Sequence, residues 1–345
     1  MLTKEELKRY SRHTILPEIG IGGQDKLKNA SVLMVGAGGL GCPVLQYLVA
    51  IGVGKIGIVD DDRISISNLH RQILYSANDI GRLKSLVAKE KLEVLNPYAV
   101  ITAYPERLTS DNAAHICSSY DLLIDGSDNF NTRYLLNDTS TLLGKPLVFG
   151  SIFKFEGHVA VFNYQNGPNY RDVFPEPPAA DEVPNCDEIG VLGILPGIIG
   201  TYMANEAFKV ICEIGETLSG KLLTIDSLTN NTTIFSVTKR NNKLDEKVIT
   251  IKTDETRKEI TYADLKEMLA VYPNQILLVD VRENYEFEES NIGGVNIPLY
   301  ELSQRINELP RQKTIVLYCQ TGSRSRIAMN LVKAIHDADV YSLKT

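Results

Sequence analysis

The ten residues VLMVGAGGLG (residues 32–41) decide the fold of the first half of the chain. They join an apolar strand, Ser31–Val35, to a glycine-rich turn and a predicted helix, Pro43–Ile51, which leads into a second strand, Lys55–Asp60. Glycines let the backbone approach a phosphate, and a helix N-terminus offers free N–H donors with positive partial charge. The acid that ends the second strand, Asp60, can bind both hydroxyls of a ribose. This order of strand, glycine turn, helix, strand and acid predicts a nucleotide site, and the glycines of the turn are Gly36, Gly38, Gly39 and Gly41.

Strands and helices alternate along the rest of this half. The pattern predicts a Rossmann-like, doubly wound α/β fold, with a mainly parallel sheet covered by helices on both faces. The further predicted strands are Val100–Ala103, Tyr120–Ile124, Leu147–Phe149 and His158–Tyr164, and helical periodicity runs over Gly81–Leu95. Five prolines interrupt Asn163–Glu188, which predicts a long loop of functional importance. The apolar segment from Ile189 continues as a helix to about Glu213, and Leu222–Asp226 with Thr232–Val237 predict a hairpin.

The charged segment 239–258 lacks sustained periodicity, so we interpret it as a linker that follows a first domain, 1–238. Beyond it, a helix at Tyr262–Leu269 and strands at Ile276–Asp280 and Thr314–Tyr318 predict a second, smaller α/β domain over residues 259–345.

Composition restricts the function classes. The chain has 345 residues with 36 Lys and Arg against 43 Asp and Glu, a net charge of -7. An acidic surface repels nucleic acid and anionic lipid, so neither is an expected partner. The stretch 32–54 carries no charge and is long enough to span a membrane, but its six glycines and Pro43 favour strand, turn and helix instead.

Cysteine usage predicts the compartment. The five cysteines are widely spaced and include no Cys-x-x-Cys pair, which disfavours a disulfide framework and a cysteine-based zinc site. The N-terminus is polar and charged, unlike a signal peptide. Reduced thiols and a cytoplasmic location are therefore the expectation.

Polar side chains follow the predicted nucleotide site and suggest which ligand it takes. Arg71 and Lys84 can face a polyphosphate, and Asp128 offers the carboxylate oxygen that magnesium prefers when it binds nucleotide phosphates. Carboxyl ends of parallel strands meet at one edge of a sheet, so these residues are expected to share a site. The remaining candidates in these segments are Ser67, Asn68 and Asn129.

Taken together, these motifs resemble the MoeB/ThiF family, which is related to ubiquitin-activating enzymes. The similarity spans about Leu7 to Val237 and includes Arg9-Tyr10-Ser11-Arg12, the glycine turn, the segment 67–72 and Asp125-Gly-Ser-Asp-Asn129. The resemblance implies that MgATP adenylates the C-terminal glycine of a ubiquitin-like sulfur carrier ending in Gly-Gly. It implies that Asp60 holds the ribose and that Asp128 binds magnesium. The implied phosphate contacts are Asn68, Arg71 and Lys84, and Arg12 would reach the nucleotide from the partner subunit of a homodimer.

One cysteine feature departs from the family pattern and another matches it. Family members commonly carry two Cys-x-x-Cys pairs that hold zinc, whereas Asn169-Tyr-Arg-Asp172 stands at the first pair here, so zinc is not expected. Cys186 matches the family cysteine that can be linked to the carrier through a thioester or an acyl disulfide. A small buried cysteine is the alternative reading of this position.

The C-terminal domain resembles a rhodanese over about residues 259 to 345. Its matching features are Leu278-Val-Asp-Val-Arg282, Asn291-Ile-Gly-Gly-Val-Asn-Ile-Pro298 and the loop that begins at Cys319. The resemblance implies that Cys319 carries a persulfide loaded by a donor such as a cysteine desulfurase. The N-terminus of the following helix and Arg324 would stabilise the sulfur anion. A rhodanese usually continues past the region that matches 337–344, so we expect this domain to be incomplete at its C-terminus.

Two other functions remain open from the sequence. An NAD-dependent oxidoreductase with an appended sulfur domain would also use the glycine turn and Asp60, although it has no need of Arg71, Lys84 and Asp128. A catalytically degenerate scaffold that binds the carrier would fit the missing zinc ligands. The pathway of the carrier, whether molybdopterin, thiamine, cysteine or tRNA thiolation, is not decided by the sequence.

Overall fold

The glycine turn lies at the centre of the larger of two sheets in a computed structural model. The structure describes residues 2–177, 190–239, 259–272, 275–320, 322–333 and 339–344. These residues form two units, each with its own sheet and core.

The first unit is built on a mixed sheet of eight strands among the described residues, in the order β3-β2-β1-β4-β5-β6-β7-β8. The first five in that order are parallel, and β6, β7 and β8 continue the sheet in antiparallel fashion. The chain reverses its direction of strand addition between β1 and β4, so the crevice at their carboxyl ends is where such sheets bind ligands. The strands are β1 Ser31–Val35, β2 Lys55–Val59, β3 Val100–Tyr104, β4 Leu122–Asp125, β5 Leu147–Phe153, β6 Glu156–Phe162, β7 Lys221–Asp226 and β8 Thr232–Ser236.

Helices cover both faces of this sheet, which confirms the doubly wound prediction. On one face, helices Gly41–Ile51 and Leu195–Cys212 pack together over a core that includes Leu48 and Met203. On the other face, helices Ala113–Ser118 and Phe130–Leu143 lie over a core that includes Phe149. The remaining helices are Lys4–Arg9, Ser11–Thr14, Gly20–Asn29, Lys84–Leu95 and Tyr170–Val173, with 3-10 turns at Ile66–Asn68 and Ala77–Asp79.

The structure corrects the sequence prediction in three places. The helices before Ser31 were not predicted, and the helix expected from Gly81 begins at Lys84. Helix Tyr170–Val173 lies inside the segment predicted as a loop. The uncharged stretch 32–54 forms a strand, a turn and a helix, as predicted, and no helix in the described part of the chain has the length and apolar character needed to cross a membrane.

Polar contacts hold the segment that matches the first cysteine pair of the family. Asn169 Oδ1 accepts from the Arg171 N–H at 2.8 Å, and Asp172 Oδ2 accepts from the Asn169 N–H at 2.8 Å. Arg171 also makes a two-pronged ion pair with Asp138, with both N–O distances 2.7 Å. These contacts fix the turn without thiolate ligands.

The second unit has a parallel sheet in the order β11-β10-β12-β13-β9. Separate apolar clusters cover its two faces, as expected for an α/β unit. Its strands are β9 Glu259–Thr261, β10 Ile276–Asp280, β11 Val295–Asn296, β12 Thr314–Tyr318 and β13 Val340–Lys344. Its helices are Tyr262–Val271, Asn284–Glu289, Leu299–Arg305 and Ser323–Lys333, with a 3-10 turn at Ile306–Glu308. The predicted linker lies outside the described residues except for residue 239.

Candidate active site

The glycine turn is shaped by close backbone packing. Gly36 has a φ of 91°, and a Cβ there would lie 2.8 Å from the carbonyl oxygen of Gly126. A Cβ on Gly41 would lie 2.1 Å from the carbonyl oxygen of Gly36. Only glycine fits these two positions, because a real side chain would force the backbone apart. The contact with Gly126 brings the loop after β4 against the glycine turn.

Gly38 and Gly39 lie at the exposed side of the turn. A Cβ on Gly38 would have the Gln72 Nε2 atom 3.5 Å away, and one on Gly39 would lie 3.7 Å from the Arg71 Cδ atom and 3.1 Å from Pro196. The side chains of Arg71 and Gln72 therefore lie against the turn. Without a side chain on Gly39, Pro196 and Arg71 can pack against the turn just before helix Gly41–Ile51.

Asp60 is fixed beside the glycine turn. Its Oδ2 accepts from the Ala37 N–H at 2.7 Å, and its Oδ1 accepts from the Asp62 N–H at 2.9 Å. Burial raises the pKa of Asp60 to about 6, although Lys84 and the two N–H donors oppose this rise. Each carboxylate oxygen keeps a lone pair beyond these bonds, so Asp60 can still accept from two hydroxyls.

Lys84 lies at the start of helix Lys84–Leu95 and is buried, with 6% of its surface exposed. Its ammonium donates to Asp62 Oδ2 at 2.8 Å. Burial acts to lower the pKa of Lys84, but the carboxylates of Asp60, Asp62 and Asp128 outweigh it and the net shift is upward. Lys84 is thus a permanent cation in a ring of acids, and Asp62 is a partner that the sequence reading missed.

Segment 67–72 is a tight turn whose side chains bond within it. Asn68 Oδ1 accepts from the Ser65 N–H at 3.2 Å, and the hydroxyls of Ser67 and Ser65 lie 2.9 Å apart. Arg71 donates to the carbonyl oxygen of Ser67 at 3.0 Å. Gln72 is buried, and its Oε1 atom has no hydrogen-bond partner among the described residues. The turn positions a guanidinium and amides beside Gly38 and Gly39.

The loop after β4 is braced from two sides. Asp125 is fully buried and accepts from the Ser127 N–H at 2.9 Å and from the Ser127 hydroxyl at 2.6 Å. Arg133, on helix Phe130–Leu143, donates to the Ser127 carbonyl oxygen at 3.1 Å and attracts the Asp125 carboxylate. This frame holds Asp128 exposed at the edge of the site.

Asn129 has a structural role in addition to the one expected for it. Its Oδ1 accepts from the Thr132 N–H at 2.9 Å and caps helix Phe130–Leu143. Its contribution to a ligand site would therefore come from its amide nitrogen, which lies 3.5 Å from Asp128 Oδ1.

A magnesium ion fits the donor set at this edge. Mg²⁺ in nucleotide sites is usually held by one or two carboxylates, substrate phosphates and water. Asp128 supplies one exposed carboxylate, and no cluster of three or more metal-binding side chains occurs among the residues that the structure describes. A single carboxylate of this kind fits an ion that is also held by nucleotide phosphates.

Arg12 does not join these residues in its own chain. Its neighbours contact the far end of helix Lys84–Leu95: Arg9 donates to the Leu95 carbonyl oxygen at 2.7 Å, and the Tyr10 hydroxyl accepts from Asn96 at 2.8 Å. Helix Lys84–Leu95 has 12 residues and so separates its two ends by about 18 Å. The segment that carries Arg12 is thus held at the end of this helix opposite to Lys84.

The second unit places Cys319 at the carboxyl end of β12. Cys319 is buried, and its Sγ accepts from the Ser325 N–H at 3.4 Å at the start of helix Ser323–Lys333. The Ser325 hydroxyl lies 3.7 Å from the same sulfur. This arrangement can stabilise a sulfur anion with a helix N-terminus. Cys186 lies outside the described residues.

Arg324 lies close enough to Cys319 for the two charges to attract, but its guanidinium binds another group. Arg324 Nη1 and Nη2 donate to the two carboxylate oxygens of Glu286 at 2.6 and 2.8 Å. No spacing rule predicts this pair, because its members are 38 residues apart. The guanidinium of Arg324, which was expected to stabilise the sulfur anion, therefore also pairs with Glu286.

Comparisons with known proteins agree with this architecture. Residues 10–246 match the ThiF family, and residues 261–345 match the rhodanese-like domain. The chain is 57% identical to the sulfur carrier protein adenylyltransferase of Thermus thermophilus over 231 residues, 66% of this chain and 85% of that relative. It is 41% identical to the probable adenylyltransferase/sulfurtransferase MoeZ of Mycobacterium tuberculosis, over 99% of this chain and 92% of the relative.

A solved structure shares the fold of the larger unit. Escherichia coli MccB in complex with ATP has a TM-score of 0.58 and 23% identity, covering 68% of this chain and 72% of that one. At this identity the likeness concerns the fold alone.

Proposed function

Because the chain belongs to the ThiF family and carries a rhodanese-like domain, we propose that it adenylates the C-terminal glycine of a ubiquitin-like sulfur carrier and then transfers sulfur to it. The convergence of Asp60, Arg71, Lys84 and Asp128 on one glycine turn carries this proposal. Both relatives reported above bear adenylyltransferase names, which favours this function over an oxidoreductase or an inactive scaffold.

In the first step, a carboxylate oxygen of the carrier attacks the α-phosphorus of ATP, and pyrophosphate leaves. The reaction brings anions together, so the cations of Arg71 and Lys84 must offset the repulsion. Asp60 holds the ribose through its two carboxylate oxygens, and the N–H groups at the glycine turn face the phosphates. Asp128 would hold Mg²⁺, which neutralises phosphate charge when it is bound.

In the second step, the terminal sulfur of a Cys319 persulfide attacks the acyl carbon, and AMP leaves with the electron pair of the broken bond. The product is an acyl disulfide between the carrier and Cys319. Attack of a thiolate on the Cys319 sulfur then breaks the S–S bond, releases the thiocarboxylate and leaves a disulfide on Cys319. Cys186 is the candidate thiol from the sequence, and a cysteine desulfurase is the proposed source of the persulfide.

We also propose a homodimer that acts in the cytoplasm, with Arg12 completing the site of its partner. An apolar groove between helices Gly41–Ile51 and Leu195–Cys212 supports a partner surface on this unit. Its large side chains are well exposed, with Ile194 at 69% and Ile73 at 63%. Contiguous exposed apolar surface of this kind marks interaction sites in soluble proteins.

The test is to incubate the protein with MgATP and purified Gly-Gly-tailed carriers, with and without a persulfide donor. Mass spectrometry of the carrier is expected to detect acyl adenylate without the donor and thiocarboxylate with it. Binding of NAD in preference to ATP, or carrier binding without AMP formation, would contradict the proposal in favour of one of the alternatives.

A further inference from the structure

Arg324, which lies near Cys319, forms an ion pair with the carboxylate of Glu286. Two of the N–H groups of Arg324 bond both oxygens of Glu286 in a fork geometry. The pair is mostly shielded, with 20% of the Arg324 side chain and 15% of that of Glu286 exposed. Charge-assisted, two-pronged pairs of this kind are among the strong hydrogen bonds of proteins. The carboxylate of Glu286 thus offsets the charge of Arg324 and occupies two of its five N–H donors.

The other guanidiniums near this pair also contact carboxylates. Arg326 donates to the Gly322 carbonyl oxygen at 3.1 Å and lies 3.5 Å from Glu259. Arg282 is paired with Asp280, whose carboxylate receives three of its N–H contacts at 2.6 to 3.0 Å. Glu283 lies beside the Arg324–Glu286 pair, and burial together with the charge of Glu286 raises the pKa of Glu283 against the pull of Arg324. Among these seven residues the carboxylates outnumber the guanidiniums by four to three.

Sulfur can be loaded on Cys319 by two chemical classes of donor. Thiosulfate is a dianion: the Cys319 thiolate attacks its outer sulfur, the S–S bond breaks, and sulfite leaves with the electron pair. A protein cysteine persulfide gives up its outer sulfur in the same way and leaves a cysteine thiolate. A free arginine at the entrance favours the first donor, because a positive cleft raises the encounter rate of a small anion.

We propose that Glu286 is a specificity-determining residue, which occupies Arg324 and thereby turns Cys319 away from small sulfur oxyanions toward a protein cysteine persulfide. The inference rests on the sulfur transfer proposed above and assigns a residue to the choice of its donor. Glu286 acts through Arg324 and touches no reacting atom, so its effect is on the choice of donor rather than on the chemistry of Cys319.

The experiment compares the full-length protein with the variants Glu286→Gln and Glu288→Gln. Both changes remove one negative charge from helix Asn284–Glu289, but Glu288 is exposed and has no contact with Arg324 among those described. Each protein is offered thiosulfate or a cysteine desulfurase supplied with cysteine, and sulfur on Cys319 is followed by mass spectrometry. Thermal unfolding verifies that the variants are folded.

We expect Glu286→Gln to raise kcat/KM for thiosulfate by about tenfold or more at low ionic strength, mainly through KM. The gain should shrink as salt is added, because screening weakens the attraction between Arg324 and the dianion. Loading by the desulfurase should change by less than about twofold, and Glu288→Gln should behave like the unaltered protein.

An unchanged ratio of the two donors in Glu286→Gln, or an equal gain with Glu288→Gln, would overturn the role of Glu286 while leaving sulfur transfer intact. If the unaltered protein accepts sulfur on Cys319 from neither donor, the proposed sulfur transfer itself is wrong and this inference is overturned with it.

Discussion

Replacement of Lys84 by methionine tests the proposed adenylation site most directly. The ammonium is 2.8 Å from Asp62 and interacts with the carboxylates of Asp60 and Asp128. Methionine keeps a similar length but removes the charge that faces the phosphates. Loss of one such group typically lowers turnover by ~100–1,000-fold. We therefore expect carrier-dependent exchange of pyrophosphate into ATP to fall by that factor in Lys84→Met.

The same substitution should move the pH dependence of ATP binding. Asp60 has a pKa of about 6 in the presence of Lys84, which opposes the effect of burial. Asp60 is therefore mostly neutral below that pH and mostly ionised above it, and the ionised form is the better acceptor for ribose hydroxyls. Without Lys84 the pKa of Asp60 rises further. As the pH falls, the KM for ATP should therefore begin to increase at a higher pH in Lys84→Met than in the unaltered protein. Below the pKa of Asp60 the increase is up to about tenfold per pH unit for one titrating group.

Lys89→Met is the matched control. Lys89 lies on the same helix, where it is exposed and only 3.7 Å from Glu93 in a surface ion pair. It should leave exchange and its pH profile unchanged. A fall of less than tenfold in Lys84→Met, with the acid limb of the profile unmoved, would refute the placement of Lys84 at the reacting phosphates.

Three further outcomes are expected. Arg71→Ala should keep the thermal unfolding temperature but lose carrier-dependent pyrophosphate exchange by ~100-fold or more, and unchanged exchange would remove Arg71 from the site. Arg12→Ala and Lys84→Met should each be inactive alone. After subunit exchange, a mixture of the two variants should regain about a quarter of the activity, because half of the dimers then hold one intact site. No recovery would contradict an Arg12 supplied by the partner. Arg171→Met should lower the unfolding temperature by ~2–4 °C, the value for about 1 kcal/mol from a partly exposed ion pair with Asp138. A chelator should leave the unfolding temperature unchanged, and stoichiometric zinc in elemental analysis would contradict the expectation that no zinc is bound.

The parts of the site that are contiguous in sequence were predicted well. The order of strand, glycine turn, helix and Asp60 was correct, because each of these elements depends on local residues and on packing that periodicity reveals. Gly36 and Gly41 are glycines for a reason that lies in the tertiary contacts, yet their identity is readable from the sequence. The same holds for the position of Cys319 between β12 and the helix that follows it.

Some polar residues have a structural use that the sequence analysis did not assign. Asn129 was expected at the nucleotide, which stays a prediction, and its oxygen also accepts from the Thr132 N–H as a helix cap. Helix Tyr170–Val173 was missed because it has only four residues and prolines follow it. Local signals of this kind are ambiguous until the surrounding chain selects one use.

The sequence by itself determined the doubly wound sheet, the glycine turn and the presence of a cysteine loop in a second unit, since these follow from patterns among neighbouring residues. Only the tertiary structure decided which charges meet. Lys84 with Asp62, Arg133 with the loop after β4, and Arg324 with Glu286 are pairings across the fold that no spacing rule predicts. The physical reason is that Coulomb and hydrogen-bond energies depend on distance in space and on burial, and folding sets both quantities for residues that are far apart along the chain.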